Sequence, residues 1–230
     1  MLMKLSMTVT CLAWWSTIAT AQEPFGFTTA SVNTIQANTP TAVTVTSEIQ
    51  PGAVLPTSVL LQRLNENGSV TVVGRLHDDG LDGDSGAVDG VYSLRFIVNQ
   101  SAASVLTYRM SAALNGVPRR VLSNPFEIVV QSNQRPEEML SQLAAELRQA
   151  DATKALSHFS PSPANQFVFS LLDQTGREKL AQAFEHLVLT SSSSNARFYD
   201  MPWTNDDGST ETTRVILEQG RLGKWMIVSW

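Results

Sequence analysis

Between His77 and Tyr92 the chain reads His-Asp-Asp-Gly-Leu-Asp-Gly-Asp-Ser-Gly-Ala-Val-Asp-Gly-Val-Tyr, setting Asp78, Asp79, Asp82, Asp84 and Asp89 among four glycines. Like charges at that density repel. Such a segment is well solvated, organised by bonds from side chain to backbone, or neutralised by a cation. Oxygen ligands separated by glycines suit calcium, and counting from Asp78 as position one puts Asp82 at five, Gly83 at six and Asp89 at twelve of a calcium-type loop. Position three is Gly80, which has no side-chain oxygen, and no helix flanks the loop, so an EF-hand is excluded. The expectation is a looser cage in which Asp78, Asp82, Asp84 and Asp89, with backbone carbonyls, hold calcium. The alternative is a long turn held by Asx hydrogen bonds with its charges in water.

Other reactive side chains are scattered. His77, His158 and His186 have no spaced partner for acid–base or metal chemistry, and the last two read as partly exposed helix residues. Asp200 follows Tyr199 on a strand, so the two face opposite ways and cannot line one pocket together. Ser191–Ser194 has no G-x-S-x-G context and reads as a flexible polar linker. No residue is assigned a catalytic role.

The elements that must position these groups fall into two halves. From about Thr28 to Gln131 apolar residues recur at period two, as in Val43, Val45 and Ile49, and again in Leu106, Tyr108, Met110 and Ala112. Val70 and Val72, the run Tyr92, Leu94, Phe96 and Val98, and the run Phe126, Ile128 and Val130 add further strands. With Thr28–Ile35 and Ser58–Leu64 this makes about seven, divided by turns at Pro51-Gly52, Asn65–Gly68 and Asn115-Gly116. That count over about a hundred residues predicts an immunoglobulin-like β-sandwich at 28–131. After the polar stretch 132–135, Pro136 followed by Glu137 and Glu138 opens a helix with Leu140, Leu143, Ala144 and Leu147 on one face. Asp151 starts a short second helix through Ala155, Leu156 and Phe159. Phe167, Leu171 and Leu172 mark a third, and Thr175-Gly-Arg-Glu178 reads as the capping box of a fourth. A β-meander over Ala196–Trp203, Thr210–Glu218 and Gly223–Trp230 closes the chain. Its aromatic residues, Phe198, Tyr199, Trp203, Trp225 and Trp230, are expected to pack against the helices.

Two resemblances follow from these residues. Asp89-Gly-Val-Tyr-Ser93, closing a D-G-x-x-G-D…D-G-x-Y loop, and Thr107–Ala112 resemble bacterial immunoglobulin-like or fibronectin-type modules of exported proteins. That resemblance implies a tyrosine corner, in which strand counting favours Tyr108 over Tyr92. Residues 136–230 carry Ala150-Asp151, Ala155-Leu156, Phe159 and Gly223–Val228 in an order similar to the nuclear-transport-factor-like or cystatin-like α+β cone. The combined expectation is an all-β sandwich followed by helices on a curved antiparallel sheet.

The N-terminus reads as an export signal: Lys4, an apolar run from Met7 to Ile18, and Ala19-Thr20-Ala21 before Gln22. The run is shorter than the roughly 20 residues of a spanning helix, so no membrane span is expected after processing. Cleavage after Ala21 would leave 209 of the 230 residues, remove Lys4 and take the formal charge from −5 to −6. It would also remove Cys11, the only cysteine, which excludes disulfides and thiolate chemistry from the mature chain. The acidic balance and the lack of a Lys/Arg cluster argue against nucleic acid. The resulting expectation is an exported, periplasmic or extracellular, non-catalytic binding or scaffold protein whose partner is a protein or another envelope component. A small-ligand carrier or enzyme using the cone pocket, and a calcium-stiffened adhesion or structural element, are the alternatives.

Overall fold

A computed structural model describes residues 24–50, 52–116, 118–205 and 207–230. The expected signal segment 1–21 lies outside the described residues, as do Pro51 and Asp206 of two expected turns. Apart from one 3-10 turn at Pro56–Ser58, the regular elements of the N-terminal half are strands: β1 (Phe25–Ala30), β2 (Thr34–Gln36), β3 (Thr41–Ile49), β4 (Leu60–Leu64), β5 (Val70–Arg75), β6 (Val91–Val98), β7 (Ser104–Ala113), β8 (Arg120–Leu122) and β9 (Phe126–Gln131). One sheet runs β1-β3-β6. The other runs β2-β9-β7-β4-β5, with β8 on the end of β7. The segment Thr28–Ile35, expected as one strand, breaks after Ala30. Its first part pairs antiparallel with β3, and its second crosses to the other sheet to pair in parallel with β9.

Alternation decides what is buried. Val43, Val45 and Ile49 of β3 meet Leu106, Tyr108, Met110 and Ala112 of β7 and Ile128 and Val130 of β9 in one apolar core. Val70 and Val72 depart from the expected inward pattern and are exposed, because β5 is the edge of its sheet. Tyr108 is buried, stacked on Phe126 with ring centres 5.8 Å apart and tilted against Phe96 at 5.7 Å. Its hydroxyl has no hydrogen-bond partner among the described residues, and two strands follow β7 rather than one. The tyrosine-corner expectation is therefore corrected: ring packing, not a hydroxyl bond, holds Tyr108.

The C-terminal half carries α1 (Pro136–Arg148), α2 (Ala152–Leu156), α3 (Pro163–Leu171) and α4 (Gln174–Glu185), then β10 (Val188–Ser192), β11 (Ala196–Thr204), β12 (Thr210–Gln219) and β13 (Trp225–Ser229) in an antiparallel meander. Pro136 occupies the first helical turn, Glu138 accepts the Arg135 backbone N–H at 3.2 Å, and Asp151 caps α2 through the Lys154 N–H. The expected capping box at Thr175–Glu178 is corrected. Asp173 caps α4 by accepting from Gly176 N at 2.7 Å, and Thr175 lies inside the helix. Ser191 and Ser192, read as linker, belong to the edge strand β10. On α3 the buried residue is Phe169, while Phe167 and Leu171 are exposed.

The second core gathers Leu140, Leu143, Ala144 and Leu147 of α1 with Phe184, Tyr199, Val215, Leu217, Trp225 and Ile227, and Trp203 and Trp230 pack partly buried against it. The rings of Phe159, Phe169, Phe184 and Trp230 form one connected group, with Phe159 and Trp230 each touching the other three at centre distances of 5.1–6.4 Å. The stretch read as a linker is pinned where it begins. Ser132 N donates to the Leu222 carbonyl at 2.7 Å, Gln131 Nε2 to the Arg221 carbonyl at 3.3 Å, and Arg221 pairs with Glu127 at 2.6 Å. Gly223 sits at φ 69°, and a Cβ there would lie 2.7 Å from the Ser132 carbonyl oxygen, so no larger residue fits that turn without displacement.

Candidate functional site

The acidic loop joins β5 to β6 and is fastened at both ends. His77 and Ser93 exchange backbone bonds at 2.9 and 2.7 Å, and the Ser93 hydroxyl donates to the Leu81 carbonyl at 2.8 Å. Inside the loop the carboxylates bond the backbone. Asp78 accepts from the N–H groups of Asp89 and Gly90, both at 3.1 Å. Asp84, buried, accepts from Gly80 N at 2.8 Å and Gly86 N at 3.1 Å. Asp79 and Asp89 each accept from the residue two positions on, Leu81 and Val91. Gly83, at φ 99°, lies against β3 so closely that a Cβ would sit 2.6 Å from Thr44 Cγ2.

This organisation brings Asp78, Asp84 and Asp89 together, one carboxylate oxygen from each lying within 4.8 Å of the others. Asp82 is not part of that group. It is exposed, in left-handed backbone at φ 52°, so of the four expected ligands the structure brings three together. Those three suit a hard cation by chemistry, since all are carboxylates. They also carry the Asx-type bonds of the alternative reading, so the two descriptions apply to the same side chains.

His77 is exposed beside the loop, and His186 is exposed at the end of α4 with Nδ1 2.7 Å from the Gln182 carbonyl oxygen. His158 is not a partly exposed residue: it is buried, and its Nε2 lies 2.9 Å from Glu146 Oε2. Glu146 is buried too, and its other oxygen accepts from Gln142 Nε2 at 2.9 Å. The signal for this pair was Glu146 itself, a carboxylate set within the apolar stripe between Leu143 and Leu147. Tyr199 and Asp200 do face opposite ways: Tyr199 is buried and Asp200 faces Arg214 at 3.5 Å. Burial, and then the Glu137 carboxylate, raise the Tyr199 pKa, and no hydrogen bond of normal geometry reaches its hydroxyl.

Beside the aromatic group an open cleft of about 510 Å³ lies between α3, α4 and the meander, walled by Val168, Leu172, Leu180, Met201, Trp203 and Trp230. None of the side chains lining it is ionisable. No helix among the described residues is long and apolar enough to cross a membrane. The chain matches no protein-family model, and no curated protein matches it in sequence.

Proposed function

We propose that the chain is an exported, non-catalytic binding or scaffold protein of the cell envelope or the extracellular space. In this reading an immunoglobulin-like sandwich precedes a nuclear-transport-factor-like cone, and the partner is a protein or another envelope component. The observation that carries it is how the second half is filled. Acid–base chemistry in a cone needs a carboxylate facing an open apolar pocket. Here the space between helices and sheet holds four aromatic rings, and the cleft beside them is lined by non-ionisable side chains. The buried carboxylate, Glu146, is tied to His158 and Gln142. Recognition then falls to surfaces such as the edge strand β10, with Val188 and Leu189 exposed, and the outer face of α3.

Photo-crosslinking from positions 167 and 189 in exporting cells tests this, combined with intact-mass analysis of the exported chain. The expected results are an N-terminus at Gln22 and a covalent adduct with one envelope component. A chain held in the cytoplasm, or one forming no adduct at either position, would overturn the reading.

A second reading is favoured by the grouping of Asp78, Asp84 and Asp89: calcium stiffens the first half as a structural element. Extracellular modules bind calcium with dissociation constants of roughly 10⁻⁴–10⁻³ M, and at about tenfold excess over that constant the folded state gains about 1.4 kcal/mol. The melting temperature should rise with calcium over chelator, and Asp84→Asn should abolish the rise. Equal shifts in both proteins would sink it.

A further inference from the structure

A second cleft, of about 500 Å³, opens at the end of the sandwich next to the acidic loop. Ile49, Val54 and Tyr92, all buried in the core, form its floor, and Arg75, Asp79 and Asn115 stand on its walls. Tyr92 is only 6% exposed, yet its hydroxyl has no hydrogen-bond partner among the described residues. The nearest carboxylate, Asp78, already accepts from two backbone N–H groups. A neutral phenol can both donate and accept a hydrogen bond. Tyr92 lines the open cleft, so a polar group entering it can bond that hydroxyl without opening the core.

Two features narrow what that is. Val88 stands at the mouth, 87% exposed, with φ 63°. Left-handed backbone is an uncommon conformation for a β-branched residue, and it fixes where this side chain stands. Its isopropyl group extends the apolar floor outward. The titratable groups on the lining are Arg75, with no ion-pair partner among the described residues, and His77, against Asp78 and Asp79. No surplus of positive charge is left to hold an anion. The cleft instead offers donors and acceptors in near balance over an apolar floor. A sugar matches both, presenting hydroxyl groups on its rim and C–H groups on its ring faces, and the volume lies within the ~300–1,000 Å³ of small-molecule sites.

We propose that this cleft binds a neutral saccharide of one or two rings. The Tyr92 hydroxyl and the Arg75 guanidinium are its polar anchors, and Ile49, Val54 and Val88 lie against its C–H face. The proposal rests on the binding-module reading but not on any surface of the second half, so its failure leaves the crosslinking result standing.

The test uses the full exported chain, saturation-transfer NMR and four neutral probes (maltose, cellobiose, lactose and diacetylchitobiose), with glucuronate as an anionic control. At concentrations of about 5 mM, at least one neutral probe should receive saturation, and Tyr92→Phe and Arg75→Gln should each weaken its binding roughly tenfold. Tyr92→Phe keeps the ring in the core, so its melting temperature should stay within about 2 °C of the parent chain. Silence from all four neutral probes, unchanged binding in both variants, or tighter binding of glucuronate would each overturn the proposal.

Discussion

Tyr108 and His158 show how differently two buried polar side chains can be held. Tyr108 has rings on two sides and no hydrogen bond, so removing its oxygen takes away nothing that the fold uses. Tyr108→Phe should change unfolding free energy by less than about 0.5 kcal/mol, whereas Tyr108→Ala should cost about 3–5 kcal/mol through the cavity it opens. Denaturant unfolding measures both, and a loss of 1–2 kcal/mol in the Phe variant would restore the tyrosine corner. His158 is the opposite case. His158→Ala strips one partner from a buried carboxylate and should cost about 2–4 kcal/mol. A cost under about 1 kcal/mol would mean that water reaches Glu146 without hindrance.

Among the elements, the last turn of α1 is joined to α4 by Arg148. Its guanidinium meets Glu185 at 2.6 and 2.7 Å and Glu178 at 3.2 Å. The hydrogen bonds from Arg148 hold the Glu185 carboxyl below its ordinary pKa of 4.5. Because the folded value lies below the unfolded one, this contribution is complete above that ordinary value and is lost as pH falls through the depressed one. Stability of the parent chain and of Arg148→Met should therefore converge as pH drops below 4.5, and curves that stay parallel would contradict the pairing. This joint was not visible in the sequence, because its partners lie 30 and 37 positions apart. What was visible had a period. The alternation of β7 and the Leu140, Leu143, Ala144, Leu147 stripe of α1 both end in the cores as read. Periodicity fails at edges, where one side of a strand meets water. Val70 and Val72 on β5 and all of β10 are exposed, so Ser191 and Ser192 looked like linker while forming a strand. At the acidic loop, spacing along the chain placed Asp82 among the ligands. The backbone reversal at Asp82 and Gly83 turns it away and leaves Asp84 inside.

For the whole molecule, the two cores share no residue, one drawn from 25–130 and the other from 139–227. Fragments 24–131 and 136–230 should each unfold cooperatively in denaturant, and a fragment with no transition would show that its core needs the other half. Among the described residues, the halves are tied by the bonds between Gln131-Ser132 and the 221–223 turn and by the Arg221–Glu127 ion pair. Gly223→Ala should cost about 1 kcal/mol in backbone strain, and more through its collision with the Ser132 carbonyl. Faster proteolysis at 132–135 would register the loss, and an unchanged cleavage rate would show that the contact does not restrain that stretch.

The same turn bears on how the chain can vary in length. Hairpin tips are where proteins usually absorb insertions and where engineers place tags. The Asn65–Gly68 tip is open for this, since a side chain added at Gly68 would meet nothing within 4 Å. The tip at 220–223 is closed, because its carbonyls at Arg221 and Leu222 are acceptors for Gln131 and Ser132. Lengthening it by even one residue would move both carbonyls off their donors, so a loop at the surface carries the length constraint of a core element.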